Sequence, residues 1–301
     1  MFDLHSGLRT AYLVRVPAIA VSARSAAASG DLSEAAGSAA GDSTVADSTV
    51  DSSAADLIVV GAALGGRGEI DLVISPEYRR RGYGRAAARE LGATEPNGLT
   101  AWSHGDHPAA RALASELRYV AARTLLELRK PLDAADADTA TAPVRDNEAS
   151  ASASLDGGSV SAFRPGVDDE EWVALNALVF ATHPEQGAIT EADLAARQGE
   201  SWFNAADFLI LRDADGRMIG YNWLKIDEAI GEIYVIGVHP DAAGRGLGRV
   251  LMQVGLQRLV DAGCTTAALY VEADSLGPVH LYRALGFIDH TVDVQYRRLP
   301  E

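Results

Sequence analysis

The chain is predicted to be α/β, built as two related units in tandem, each a mixed β-sheet flanked by helices. Three observations lead there. The segment PEYRRRGYGR, Pro76–Arg85, returns as PDAAGRGLGR, Pro240–Arg249, at an offset of 164 residues. That spacing is far longer than a solenoid or propeller period and close to the size of one ordinary domain. Each copy stands between an apolar strand and a helix, and 301 residues, 48% of them apolar, are enough for two buried cores.

In the first unit the apolar, β-branched runs at 12–16, 56–60 and 69–74 read as strands, the last of them feeding the glycine loop. A helix at 86–91, a strand at 99–103, a helix at 108–117 and a closing strand at 124–129 follow. The second unit begins more fully, with a helix at 169–179, a loop at 183–187 and a helix at 191–197. Strands at 208–211 and 219–225 are joined at Asp215 and Gly216, a strong hairpin signal. The central strand is expected at 232–238, where Gly237 suggests a bulge or a close ligand approach. A helix at 247–262, a strand at 267–272, a helix at 278–285 and a strand at 291–297 complete the order.

Two low-complexity stretches set the boundaries. Residues 26–55, with the near-repeat DSTVADSTVD, hold almost nothing large to bury and read as an insertion that cannot offset its ordering entropy. Residues 133–159 read as a linker, which gives an N-terminal domain at 1–132 and a C-terminal domain at 160–301. No apolar run approaches the roughly 20 residues of a membrane span, and the first residues lack the basic-then-apolar order of a signal peptide, so a cytoplasmic monomer is expected. The single cysteine, Cys264, excludes a disulfide framework or a thiolate metal cluster, and its place in a turn entering a strand suits packing better than nucleophilic attack.

Acidic residues outnumber basic ones 42 to 26, for a net charge of −16, which argues against a nucleic-acid backbone as partner. The local run Arg79, Arg80 and Arg81 beside the first glycine loop points instead to a small phosphorylated ligand. A strand, a Gly-x-Gly turn and a helix in immediate succession aim several backbone N–H groups into one concavity at the positive end of the helix dipole. Neither copy continues into Gly-Lys-Ser/Thr, so neither is a nucleotide-triphosphate loop, and neither has the third glycine of a dinucleotide fingerprint.

These loops, together with LYRALGF at Leu281–Phe287 after a further strand and helix, resemble the GNAT family of acetyl-CoA-dependent N-acetyltransferases. The resemblance covers 160–298 and about 56–130. It implies a splayed sheet, acetyl-CoA as co-substrate and no metal. It also implies coenzyme contacts at Ile236, Gly237 and Val238 of the central strand, at Ala243, Gly244, Arg245, Gly246, Leu247, Gly248 and Arg249 of the loop, and at Ser275, Leu276, Gly277, Pro278, Val279 and His280 of the next helix. The matching positions of the first copy are Leu72, Val73, Ile74, Arg80, Arg81, Gly82, Tyr83, Gly84 and Arg85. The family usually has Gln or Arg where this chain has Ala243, and Asn where it has Ser275, so coenzyme affinity in the second copy leans on backbone amides.

Aligning the copies assigns the chemistry to the second. Glu232 falls opposite Gly68, while Glu69 aligns with Ile233 and by strand alternation faces the other way. Tyr282 falls opposite Ala114 when the LGF and LRY segments are matched. Aminolysis of a thioester needs a base for the amine and a proton donor for the departing thiolate. Glu232 suits the first if burial raises its pKa from about 4.3, and the resemblance implies that Tyr282, at the position of the family's proton-donating tyrosine and unperturbed at about 10, supplies the second. The N–H near Val238 would polarise the carbonyl.

The motifs at 183–187, 202–204, 223–225, 232–238 and 269–274 are similar to those of the tandem-domain actinobacterial branch of the family that performs the last step of mycothiol biosynthesis. That resemblance implies a small-molecule partner, a cysteine–glucosamine–inositol pseudodisaccharide acetylated on its cysteinyl amine. Glu185, Lys225, Glu232 and Tyr270 would contact it, and only the C-terminal domain would be catalytic. Two other readings stay open: an acetyltransferase for another small amine or a peptide N-terminus, and a non-catalytic acyl-CoA-binding regulator.

Overall fold

The computed structural model describes residues 10–17, 57–66, 68–94, 99–133, 136 and 157–299. The stretch read as an insertion, 26–55, and most of that read as a linker lie outside them.

The first copy supplies β1 (Thr10–Pro17), β2 (Leu57–Gly66), β3 (Glu69–Ile74), α1 (Tyr83–Thr94), β4 (Thr100–Ser103), α2 (Pro108–Glu116) and β5 (Tyr119–Pro131). The second supplies β6 (Ser159–Ala162), α3 (Asp169–Val179), the helical turn α4 (Pro184–Gly187), α5 (Glu191–Gln198), β7 (Phe208–Arg212), β8 (Met218–Asp227), β9 (Ile230–Val238), α6 (Leu247–Asp261), β10 (Thr266–Glu272), α7 (Leu276–Ala284) and β11 (Ile288–Arg298). Two elements differ from expectation. The 183–187 loop holds a helical turn, and β6 starts at Ser159, where polar composition suggested linker. A four-residue edge strand that buries little of its own surface leaves almost no periodic signal.

Among the described residues the chain divides into two compact units, one of 124–293 and one of 10–123 with 294–299. The division falls inside β5 and β11, not in the compositional linker. The C-terminal half of β5 closes the sheet of the second copy, Tyr270 pairing with Glu127 and Ala268 with Arg129 in an antiparallel ladder. In turn the end of β11 pairs with β4 of the first copy, Val294 opposite Ser103. The copies have exchanged their last strands.

Each sheet is mixed. In the second copy β6, β7, β8 and β9 run antiparallel in sequence and β9 pairs in parallel with β10. In the first, β1, β2 and β3 are antiparallel and β3 is parallel to β4. Two cores flank the sheet of the second copy. On one face Leu224, Ile233 and Leu269 pack against Met252, Leu256 and Leu259 of α6. On the other, an aromatic cluster joins Trp172 of α3 to Phe208, Tyr221 and Trp223, with Phe208 stacked on Trp223 at 4.4 Å between centroids. Burying each large ring removes roughly 150–250 Å² from water, about 4–6 kcal/mol of transfer free energy at ~25 cal/mol/Å². The start of α3 is tied to β7 by Asp168, which accepts from both Arg164 and Arg212. Among the described residues no helix is long and apolar enough to cross a membrane.

The two glycine loops share one backbone path. Gly244 and Gly246 have φ of 76° and 77°, and the aligned Arg80 and Gly82 have 61° and 86°. A left-handed residue, one ordinary residue and a second left-handed residue turn successive N–H groups inward, the geometry of an anion-binding nest. At Gly244 this costs nothing, whereas an arginine in the same conformation carries strain of about 1–2 kcal/mol. We expect Arg80→Gly to stabilise the first unit by about 0.5–1 kcal/mol, the relief of strain exceeding the added freedom of the unfolded chain. Its thermal unfolding midpoint should rise by about 2 °C; a fall would show that the Arg80 side chain outweighs the strain.

Candidate active site

The central strand β9 carries a bulge. Leu224 pairs with Ile233 and Trp223 with Val235, which leaves Tyr234 as an extra residue. A bulge shifts the alternation of side chains by one place and bends its strand. Ile233 therefore faces the α6 core, while Tyr234 and Val235, though adjacent, both pack with the aromatic cluster. The parallel ladder from β9 to β10 covers four residue pairs and ends at Ile233 with Leu269. From Tyr234 to Val238 on one strand and Tyr270 to Glu272 on the other, the two backbones diverge. Ile236, Gly237 and Val238 thus lie on the diverging stretch, as expected. Gly237 itself is not the bulge. A Cβ there would lie 2.8 Å from the Tyr221 ring, so its smallness is required by a buried neighbour. The first copy diverges even sooner, after Glu69 with Thr100 and Ile70 with Ala101, leaving Leu72, Val73 and Ile74 beyond the ladder.

The residue facing Glu232 across β8 is Lys225, and across β10 it is Ala268, two residues before Tyr270. Paired residues and their i+2 neighbours share a face. Lys225, Glu232 and Tyr270 are thus brought together on the face opposite the α6 core. The Lys225 ammonium lies 5.2 Å from the centroid of the Trp202 ring, which also packs against Tyr234 at 5.1 Å. Arg197 of α5 donates to the Tyr234 hydroxyl at 3.3 Å. Burial raises the Glu232 carboxyl above the ordinary range, the opposite Lys225 charge pulls it down, and Glu127 pushes it up. Burial also raises Tyr270, assisted by Glu127 and Glu232.

Tyr282 lies elsewhere. It sits on α7 in the α6-side core, 8% exposed, with its ring 6.2 Å from that of Phe287. Glu232 and Tyr282 therefore lie on opposite faces of the sheet. The expectation of an ordinary phenol is corrected, since burial raises Tyr282 to about 12.

The second glycine loop is exposed from Ala243 to Gly246, and its backbone is fixed by Leu247, 2% exposed at the start of α6. Arg245 lies within the loop, and Gly248 and Arg249 follow it into the helix. Ser275 caps α7 without a side-chain hydrogen bond, and Leu276, Gly277, Pro278 and His280 of its first turns are exposed while Val279 is buried. In the first copy four of the arginines around the loop have protein partners. Arg79 donates to the Ile74 carbonyl at 2.9 Å, Arg81 lies over the Tyr78 ring, and Arg85 and Arg89 both reach Glu116. Ala114, aligned with Tyr282, is buried on α2. The side chain of Glu185 lies outside the described residues.

Sequence reasoning missed Glu127 and Arg129. Glu127 is 6% exposed and shares the face of its partner Tyr270, and Arg129 Nε donates to it at 2.6 Å. Both are numbered in the first copy, and no local pattern shows that β5 closes the other sheet.

A sequence profile of the acetyltransferase (GNAT) family matches residues 172–287. The chain is 46% identical over 234 residues to a mycothiol acetyltransferase of Salinispora tropica, covering 76% of this chain and 72% of that one. It is 42% identical over 229 residues to a mycothiol acetyltransferase of Streptomyces coelicolor, covering 75% and 70%. In fold it is similar to a GCN5-related N-acetyltransferase from Sphaerobacter thermophilus, with a TM-score of 0.64 at 19% identity over 80% of this chain and 76% of that one. A tandem GNAT protein from the clavulanic acid biosynthesis pathway gives 0.58 at 19% identity, over 81% and 80%. The diverging strands, the paired glycine loops and these identities agree, and the chain belongs to the mycothiol acetyltransferase family of GNAT N-acetyltransferases.

Proposed function

We propose that the C-terminal copy transfers the acetyl group of acetyl-CoA to the cysteinyl amine of a cysteine–glucosamine–inositol pseudodisaccharide, the last step of mycothiol biosynthesis. The names of the relatives support the acceptor. The observation that carries the reaction is Glu232, partly buried between Lys225 and Tyr270 where β9 and β10 part.

The residues present suit acetyl-CoA. The left-handed pair Gly244 and Gly246 turns N–H groups toward a pyrophosphate at the N-terminus of α6. Dipole attraction there is worth about 0.3–1 kcal/mol, up to about 2 when partly buried, so the individual amide bonds carry most of the affinity. The diverging backbone of Ile236–Val238 offers peptide groups to the amide-rich pantetheine arm, which would replace the missing strand partner. Ser275 to His280 would flank the same arm.

Glu232 takes the amine proton. Burial brings its pKa closer to that of an amine, so the transfer is less uphill than to a carboxylate in water. Tyr282, raised to about 12, stays protonated across the working range. Full proton transfer to a thiolate of pKa about 8.5 would be opposed by some three to four units, so Tyr282 acts by hydrogen bonding to the sulfur as charge develops. Lys225, Tyr270 and Glu185 supply donors and acceptors for a hydroxyl-rich sugar. The first copy has neither the carboxyl at Gly68 nor the phenol at Ala114, and we assign it no chemistry.

Incubating the purified chain with acetyl-CoA and the pseudodisaccharide should give a product heavier by one acetyl group by mass spectrometry, on the amine. Acetylation of a different amine, with the pseudodisaccharide untouched, would replace the acceptor in this reading. Glu232→Gln and Tyr282→Phe should each lower kcat/KM by about 10²–10⁴-fold. A double variant that keeps full biological effect would mark a non-catalytic binder. Because the active base is ionised, kcat/KM should fall as pH drops through the raised Glu232 value. Lys225→Met removes a charge that lowers that value, so the acidic limb should move to higher pH.

A further inference from the structure

The Glu127–Arg129 pair lies outside the roles assigned so far, and its setting is costly for a structural ion pair. An exposed pair on one strand contributes about 0–1 kcal/mol, whereas withdrawing a carboxylate from water costs several. Glu127 is 6% exposed, and its hydrogen bond among the described residues is the one from Arg129 Nε to Oε1 at 2.6 Å. Arg129 remains one-third exposed. Stability alone gives little reason to bury a carboxylate beside a partly exposed arginine.

The register places it. Glu127 is the direct partner of Tyr270, and Arg129 of Ala268, which in turn pairs with Glu232. With strands about 4.8 Å apart, Glu127 stands two strands from Glu232 on the same face, with Tyr270 between them. Its neighbours Leu126 and Leu128 turn to the α6 core, so the carboxylate points the other way. The two carboxylates are close enough for Glu127 to push the Glu232 value up.

We propose that Glu127, steadied by Arg129, is a second carboxylate of the acceptor subsite, accepting a hydrogen bond from the incoming ammonium group and setting its nitrogen beside Glu232. This rests on the acetyl-transfer reading above. An amine enters largely protonated, and one carboxylate cannot both hold the ammonium and remain free to take its proton. With two, Glu127, held by Arg129, receives the ammonium while Glu232 takes its proton. Among the described residues, the other groups facing Glu232 are Lys225 from β8, Tyr234 on β9 with Arg197 of α5 behind it, and Tyr270 from β10.

The test is steady-state kinetics of the full chain with acetyl-CoA and the pseudodisaccharide. Glu127→Gln should raise KM for the acceptor by about tenfold or more while leaving KM for acetyl-CoA within about twofold. Loss of the neighbouring charge should also move the acidic limb of kcat/KM to lower pH. Glu127→Asp, which keeps the charge but shortens the reach, should raise the acceptor KM and leave the limb in place. Retained acetyl-CoA binding by calorimetry shows that each variant is folded. If Glu127→Gln binds acetyl-CoA normally yet changes neither the acceptor KM nor the limb, Glu127 is a structural ion pair and the inference fails while the functional reading stands. If the unmodified chain does not acetylate the pseudodisaccharide or any other amine, the functional reading fails, and the inference with it.

Discussion

The parallel ladder between β9 and β10 ends after four pairs, immediately before the bulge at Tyr234. A regular β9 would continue alongside β10 to its end and bury its backbone groups in hydrogen bonds. With one extra residue the strand bends away, and peptide groups from Val235 onward lose their neighbour on that side. The same extra residue decides which side chains face which core. Ile233 remains with α6, while Tyr234 and Val235 both join the aromatic layer, where Trp202 and Trp223 hold Tyr234 from two directions. Backbone opening and side-chain placement follow from a single insertion in the register.

Around that opening the electrostatics are a balance of opposed effects. Burial and Glu127 favour a protonated Glu232, and Lys225 favours its carboxylate. Each pK unit corresponds to about 1.36 kcal/mol, so moderate changes in these neighbours set the pH at which the base functions. Lys225 exerts its influence from a defined position because its ammonium lies over the Trp202 ring, an attraction of about 0.5–2 kcal/mol. Tyr282 is simpler, since burial alone raises it and no cation draws it down. In the proposed reaction the base is thus adjustable and the donor is fixed in its neutral form.

Much of this was legible in the sequence. The repeated glycine loops and the strand and helix order of the second copy follow from spacing and self-alignment. What escaped was every feature that depends on partners distant in the chain. The Tyr234 bulge lies in an unbroken apolar run, and only the register against β8 reveals it. Gly237 was visible as unusual, but its cause is the Tyr221 ring, 16 residues earlier in the chain. The raised value of Tyr282 comes from Phe287, Val279 and the α6 core closing over it. Glu127 looked like an ordinary strand residue of the other copy.

That last case bears on why a copy without catalytic groups is kept. Its glycine loop retains the left-handed path even where Arg80 makes that path strained, yet its arginines are bound to Glu116, Ile74 and Tyr78. A duplicated domain with glycine and alanine, Gly68 and Ala114, where its partner copy has Glu232 and Tyr282 is ordinarily free to drift or be deleted. Strand exchange removes that freedom, because β5 is the strand that closes the sheet of the second copy beside β10. Deleting the first copy would expose the backbone edge of β10 and remove Leu128 from the α6-side core. The selective constraint on the first copy therefore falls on β5, whose inward residues complete a core and whose outward residues stand beside Tyr270.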